Sequence, residues 1–202
     1  VQPLSFSFQE AGYSLIVVNT GSSHDNLTAE YASIREEMQA VAAEFGVDVL
    51  RRVRPDQLWQ KVGPIREKLG ERAVLRAMHF FEENERVRQQ VNAIRMNDLG
   101  TMFESVISSG RSSWMLLQNV YPAGKHQPLA LALAMAEAML KGKGAWRVHG
   151  GGFAGTTLNF VPNDMTDTFV RRMENVFGEH CCFVLDVRPE GAALAFKTED
   201  MQ

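Results

Sequence analysis

The chain has 202 residues, of which 45% are hydrophobic and 22% charged, a composition that predicts one globular domain with a single substantial core. A formal net charge of −3 provides no basic footprint, so nucleic acid is excluded as an expected partner. No apolar run reaches the length of a membrane span and no signal-peptide pattern is found, so we expect no membrane association and a cytoplasmic location.

The first half of the chain predicts a strand-like stretch at Leu4 to Phe8, a buried strand, and then helices. Tyr13 to Asn19 is an apolar, strand-like run that ends in a polar turn at Thr20 to Ser23. Apolar residues then recur at steps of three and four from Leu27 to Phe45, which predicts a helix with Asp25 or Asn26 as its N-cap. The same spacing predicts a second long helix from Val74 to Ile94.

The second half alternates between helices and strands. A third helix is predicted after Asn97-Asp98, from Leu99 to Ile107, with Ser108 to Gly110 loosening its later part. Two more helices are predicted, at Leu129 to Leu140 and at Met165 to Phe177. Four strands are predicted at Ala145 to His149, Thr156 to Val161, Cys182 to Val187 and Ala192 to Phe196. The pattern favours an α+β fold with helices on one face of an antiparallel sheet. Residues 197–202 are interpreted as a polar tail.

The only cysteines, Cys181 and Cys182, are adjacent in a strand-like run. Neighbouring strand residues point to opposite faces, so these two are poor disulfide partners and are expected as free thiols. No histidine or cysteine spacing predicts a metal site within the chain.

The most informative motif is the glycine run from Gly150 to Gly155. Its glycines satisfy G-x-G-x-x-G, but the run opens a strand at Thr156, whereas a dinucleotide fingerprint must open a helix. The run is therefore interpreted as a turn that brings bare backbone amides close to a ligand or to a neighbouring backbone. A tight hairpin whose glycines only satisfy positive φ is an equally open interpretation at this point.

This glycine run resembles the third motif of the GHMP kinases, and further landmarks extend the resemblance to the galactokinase family. These landmarks are Val18 to His24, then Leu27 and Glu30-Tyr31, and then Arg76 to His79. The similarity runs from about Tyr13 to Phe196 and corresponds to a galactokinase-like C-terminal domain. It implies a ferredoxin-like antiparallel sheet with additional helices packed on one face.

The resemblance implies a parent enzyme that transfers the γ-phosphate of MgATP to galactose or a related sugar. ATP and Mg²⁺ are the implied cofactors, and the catalytic residues are expected in an N-terminal domain that precedes this chain. Residues 1–202 are then one domain, with residues 1–12 a remnant of the junction. The isolated chain is expected to be inactive, to meet sugar and ATP through the missing domain, and to be open to self-association.

Within this family pattern, the glycine run is expected to brace the phosphate loop of the absent domain. The residues assigned to this role are Gly150, Gly151, Gly152, Phe153 and Gly155. Tyr31 and His24 are candidates for the substrate side. A core ring for Tyr31, and a capping or surface role for His24, are alternatives that the sequence leaves open.

The chain departs from the family pattern at two places. His149, Ala154 and Thr156 replace a small hydroxyl residue, a Gly and a Cys, and the segment Ser109 to Trp114 lacks the usual Ser-His and the paired acids that follow. A divergent bacterial-type subfamily is one interpretation, and a paralogue with altered sugar specificity is another. A non-catalytic sugar or nucleotide sensor is the alternative function, and an unrelated α+β interaction module is a third.

Overall fold

The computed structural model describes residues 4, 6–21, 27–120, 124–153 and 155–187. This part of the chain forms four strands and six α-helices. In chain order they are β1 (Tyr13–Asn19), α1 (Thr28–Ala43), α2 (Pro55–Leu69), α3 (Glu71–Arg95), α4 (Leu99–Ser112), α5 (Pro128–Leu140), β2 (Ala145–Val148), β3 (Thr156–Pro162), α6 (Thr166–Phe177) and β4 (Cys182–Leu185). A π-helix, Ser113–Leu117, continues directly from α4.

The four strands form one antiparallel sheet in the order β2-β3-β1-β4. Ile16 in β1 lies opposite Asn159 of β3 on one side and Val184 of β4 on the other. A sheet in this order, with helices between β1 and β2 and between β3 and β4, has the ferredoxin-like topology. The expected α+β class and antiparallel sheet are therefore confirmed.

Both faces of the sheet are covered, because β1 and β3 carry apolar side chains on both sides. Ile16 and Val18 face α5 and α6 in a core with Phe169 and Met173. The opposite face, which includes Leu15, packs against α4. The helices of the ferredoxin-like unit thus lie on one face, and the additional helices approach the sheet from the other.

The additional helices have a core of their own. Val41 of α1, Leu58 and Ile65 of α2, and Val74 and Ala77 of α3 are buried together away from the sheet. Helix α3 therefore joins this helical layer to α4, which in turn lies on β2.

Helix α4 differs from its prediction because it is not loosened at Ser108 to Gly110 but runs without a break to Ser112. Gly110 lies where α4 meets β2, and a β-carbon there would lie 3.0 Å from Cβ of Arg147. The glycine therefore allows close packing of a helix on a strand and does not interrupt the helix.

Cys181 and Cys182 are free thiols with their sulfur atoms 3.7 Å apart, as the sequence predicts. Burial raises the pKa of both thiols. Within the described ranges, none of the helices combines the length and apolarity that crossing a membrane requires. The strand predicted at Ala192 to Phe196 and the tail at 197–202 lie outside the described residues.

Candidate functional site

The glycine run forms the turn between β2 and β3, beside the end of β1. We call residues 150–155 the glycine turn. The strands hold both of its ends, since the amide of His149 donates to the carbonyl of Thr156 at 2.9 Å. The amide of Thr20, just after β1, donates to the carbonyl of Gly155 at 2.8 Å. The turn therefore has a fixed base on three strands.

The turn requires left-handed backbone at several positions. Gly152 has φ of 81° and Phe153 has φ of 49°. A left-handed conformation at a bulky residue such as Phe is uncommon and persists only where the surroundings hold it. Both residues are buried, whereas Gly150 and Gly151 are exposed. The turn thus has a fixed inner side and an open outer side.

Tyr31 of α1 contacts the inner side of the turn. Its hydroxyl donates to the carbonyl of Gly152 at 2.6 Å, and its ring meets Phe153 edge to face with centroids 5.2 Å apart. The ring also covers Gly151, where a β-carbon would lie 3.0 Å from Cε1 of Tyr31. The structure thus brings this substrate-side candidate to the glycine turn itself.

Asn119, which the sequence analysis did not identify, holds the turn from the opposite direction. Its side-chain amide donates to the carbonyl of Gly151 at 3.0 Å, and its own carbonyl accepts from the amide of Phe153 at 2.6 Å. Asn119 is 2% exposed. No local pattern points to this residue, because its partners are more than 30 positions further along the chain.

The position of Asn119 depends on how the π-helix ends. Gln118 has left-handed backbone, with φ of 59°, and its amide donates to the carbonyl of Ser113 at 2.8 Å. The reversal at Gln118 directs Asn119 towards the turn. Leu117, the last π-helical residue, accepts a hydrogen bond of 3.2 Å from Nε of Arg76.

Arg76 of α3 is 1% exposed and also bonds to α1. Its Nη1 donates to Oγ of Ser33 and to a carboxylate oxygen of Glu37, both at 2.9 Å. Burial lowers the pKa of Arg76, and the charge of Glu37 opposes this effect. A buried ion pair with further hydrogen bonds is the arrangement in which a buried guanidinium is tolerated.

Arg147, a cation of β2 near the glycine turn, makes its contacts within the sheet and the helices. It pairs with Glu83 at 3.4 Å, and its Nε donates to the carbonyl of Val148 at 3.0 Å. Glu83 also accepts from Ser109 and from Arg86. Burial raises the pKa of Glu83, but these hydrogen bonds and cations outweigh it and hold the pKa below its ordinary value. The charge of Arg147 is thus balanced within the domain.

Three buried polar atoms beside the turn have no hydrogen-bond partner among the residues that the structure describes, and they belong to Thr20, Asn119 and His149. Burial, with a smaller contribution from the Arg147 charge, lowers the pKa of His149. Its ring is therefore neutral at physiological pH. On the outer side, Gly150 and Gly151 are exposed residues, and their amides donate no hydrogen bond to any of the described residues. Such amides can bind an anion or an acceptor on another chain.

The structure thus places Tyr31 in contact with the glycine turn, which contains the five residues that the sequence predicts for it. His24 and Ala154 lie outside the described residues. Across the ranges that the structure describes, no three His, Cys, Asp or Glu side chains gather to hold a metal ion. The site offers backbone amides and carbonyls, not carboxylates.

Comparison with solved structures defines the class of this domain. A galactokinase from Lactococcus lactis, solved with galactose, superposes with a TM-score of 0.70 at 17% identity over 87% of this chain and 45% of its own. An L. major mevalonate kinase, solved with R-mevalonate, gives a TM-score of 0.50 at 15% identity, over 89% and 44% of the two chains. The fold is that of a GHMP kinase domain.

Sequence comparison narrows this class to one family. A galactokinase from Glaesserella parasuis serovar 5 is 31% identical over 159 residues, which cover 77% of this chain and 39% of the relative. One from Actinobacillus pleuropneumoniae serotype 5b is also 31% identical, over 152 residues and 38% of its length. No family model matches the chain. The chain is a homologue of the galactokinases and belongs to their family, and it spans well under half the length of these relatives.

Proposed function

We propose that this chain is the C-terminal half of a galactokinase-like sugar kinase, whose full-length form we call the parent protein. The parent transfers the γ-phosphate of ATP to a hydroxyl of galactose or a related sugar. The observation that carries the proposal is the match to galactokinases over 77% of the chain but only 39% of their length. Catalytic side chains are assigned to the part of the parent outside this chain.

The glycine turn is assigned the role of bracing the phosphate-binding loop of the catalytic half. Phosphoryl transfer depends mainly on positioning and on electrostatic stabilisation of the phosphate oxygens. A turn held on its inner side by Tyr31 and Asn119, with exposed amides at Gly150 and Gly151, supports this role. These amides fit an acceptor such as a phosphate oxygen or a loop carbonyl.

The glycine turn, as far as its residues are described, does not fit Mg²⁺, which prefers carboxylate and phosphate oxygens. The described residues present no carboxylate at the glycine turn. We therefore assign the metal of MgATP to the nucleotide and to the other half of the parent protein, and no step is assigned to it here.

The proposal is tested by sugar-dependent release of ADP. The full-length parent and the 202-residue chain are assayed side by side with galactose and related sugars, with sugar-free and ATP-free controls. We expect ADP release from the parent alone. Release by the chain alone would contradict the assignment of catalysis to the other half. Sugar or ATP binding by the parent without ADP release from any sugar would instead favour a non-catalytic sensor.

A further inference from the structure

We infer that Arg76 is a positioning residue of the glycine turn, because it fixes both elements that grip the turn. Among its contacts in the described part of the chain, none is with the turn itself. One arm of its guanidinium reaches α1, which carries Tyr31. The other arm reaches the end of the π-helix, which leads to Asn119. The effect of Arg76 on catalysis rests on the proposed function, whereas its effect on the turn does not.

The first arm fixes the N-terminal half of α1. The fully buried residues of α1 are Val41 and Ala42, both at its C-terminal end. At about 1.5 Å per residue, Val41 lies about 15 Å along the helix from Tyr31. The core of the helical layer therefore holds the end of α1 that is remote from the turn, and Leu27, just before the helix, is the buried apolar residue nearest to Tyr31 along the chain. Nearer to Tyr31, Arg76 holds Ser33 and Glu37. The hydroxyl of Tyr31 then meets the carbonyl of Gly152 at 2.6 Å.

The second arm fixes the π-helix at its exit. Ser113 is the one fully buried residue of this helix, and it lies at the start. Four residues later, the carbonyl of Leu117 is held by Nε of Arg76. Asn119 follows two residues further on and makes both of its bonds to the turn. Arg76 therefore holds the exit of the π-helix on one side of Asn119, and Val120, the next residue, is buried in the hydrophobic core on the other.

Lysine cannot replace Arg76 in this role. A guanidinium presents donors in a rigid planar fork, so Nε and Nη1 can hold two partners in fixed directions at the same time. A lysine ammonium keeps the charge beside Glu37 but loses this geometry. Arg76→Lys therefore tests the donor geometry of the guanidinium while the positive charge is kept. The matched control is Arg88→Lys. Arg88 lies on the same helix, and its side chain is 70% exposed and pairs with Glu85.

The test compares amide hydrogen exchange by NMR in the 202-residue chain and its variants. The reporter is the amide of Phe153, which donates to Asn119, and the reference is the amide of His149, which donates to Thr156. We expect exchange at Phe153 to accelerate about tenfold in Arg76→Lys, with His149 unchanged, and no change at either amide in Arg88→Lys. Equal acceleration at both amides would indicate general destabilisation and overturn the inference.

Unchanged exchange at Phe153 in a folded Arg76→Lys chain would also overturn it. If that variant does not fold, the double variant Ser33→Ala, Glu37→Leu removes both acceptors of the first arm and leaves Arg76 in place. The same selective acceleration at Phe153 is expected there, and its absence counts against the inference.

In the full-length parent, we expect Arg76→Lys to raise KM for ATP severalfold, with the folded fraction unchanged. A fall in kcat alone, in proportion to the loss of folded protein, would indicate a structural role and not a positioning one. If the wild-type parent releases no ADP with any sugar, the proposed function fails, but the exchange experiment still decides the role of Arg76.

Discussion

Gly152 and Asn119 lie so close that the first cannot carry a side chain. A β-carbon at Gly152 would lie 2.1 Å from the carbonyl oxygen of Asn119 and 2.5 Å from its side-chain nitrogen. Since Gly152 also has φ of 81°, glycine is required there for two independent reasons. This contact makes the glycine turn part of the domain core and not a mobile hairpin tip.

We expect Gly152→Ala to lower the free energy of unfolding by about 2–3 kcal/mol, from left-handed strain together with steric overlap. The control is Gly150→Ala, where φ is 61° and a β-carbon meets nothing within 4 Å. Only the backbone strain of about 1 kcal/mol applies there. Urea unfolding of the chain measures both values, and equal losses would contradict the packing of Asn119 against Gly152.

Tyr31→Phe removes one hydrogen bond and keeps the ring. Its hydroxyl donates to the carbonyl of Gly152, so we expect a loss of about 0.5–1.5 kcal/mol in the free energy of unfolding. Tyr13→Phe is the control, because the Tyr13 ring packs on Phe103 with centroids 4.7 Å apart and its hydroxyl bonds to none of the described residues. Urea unfolding of both variants is the measurement, and a larger loss at Tyr13 would be unexpected.

Much of the sheet follows from local sequence. The predicted limits of β1, Tyr13 and Asn19, agree with the structure because an apolar run is bounded by a glycine and a polar turn. Helix α2 was missed, although Pro55 at its first turn and apolar residues at Leu58, Val62, Ile65 and Leu69 give a helical signal. Pro64 within the helix argues against that signal, and packing in the helical layer outweighs it.

The contacts by which Tyr31 and Asn119 hold the glycine turn, and the hydrogen bonds of Arg76, were not predictable from sequence spacing. Arg76 and Tyr31 belong to the sequence landmarks of the galactokinase resemblance. However, the hydrogen bond from Arg76 to Leu117 spans 41 positions of the chain, and that from Tyr31 to Gly152 spans 121. Asn119 is placed by a π-helix and a left-handed residue at Gln118, for which propensity gives no signal. Contacts of this kind depend on the tertiary fold, so the sequence predicts the turn but not what holds it.

The stability of the chain is expected to fall below neutral pH because of His79. Burial lowers the pKa of His79, opposed by Glu83 and Glu82 and assisted by Arg86 and Arg147. An unfolded histidine binds its proton near pH 6.5, whereas folded His79 does so only at lower pH. Stability contributed by neutral His79 is therefore complete above pH 6.5 and is lost as the pH falls towards the folded pKa.

His79→Asn should flatten this pH dependence. The slope of the unfolding free energy between pH 6.5 and 5 should decrease by up to about 1.4 kcal/mol per pH unit, the limit for one proton. Since a slope is measured, any constant loss from the hydrogen bond between His79 and Ser112 does not affect the result. His180→Asn, at an exposed position, is the control. An unchanged slope in His79→Asn would mean that His79 is not the group responsible.

The edge of the sheet predicts self-association of the chain. In the sheet that the described residues form, β4 is an edge strand, and Phe183 and Val184 are 50% and 57% exposed. An exposed apolar edge is a template for pairing with a second copy, and a lysine blocks such pairing. We expect the sedimentation coefficient to rise with concentration in the wild type and to stay constant in Val184→Lys. A concentration-independent coefficient in both would contradict association through this edge.

Gly151→Val tests whether the exposed side of the turn serves the kinase reaction that we propose for the parent protein. A β-carbon at Gly151 would lie 3.0 Å from Cε1 of Tyr31, and a branched side chain would also cover the exposed backbone at this point. If the catalytic half packs its phosphate loop against these amides, turnover should fall by about tenfold or more, since small displacements of reacting groups are costly.

The matched control is Gly63→Ala, at an exposed glycine of α2 where a β-carbon meets nothing within 4 Å, and full turnover is expected there. Thermal unfolding of both variants separates lost packing from lost catalysis. A folded Gly151→Val parent with wild-type turnover would leave the turn as a purely structural hairpin. Reduced turnover at an unchanged melting temperature would instead locate the effect on the exposed side of the turn, because the inner contacts of Tyr31 and Asn119 would then be intact.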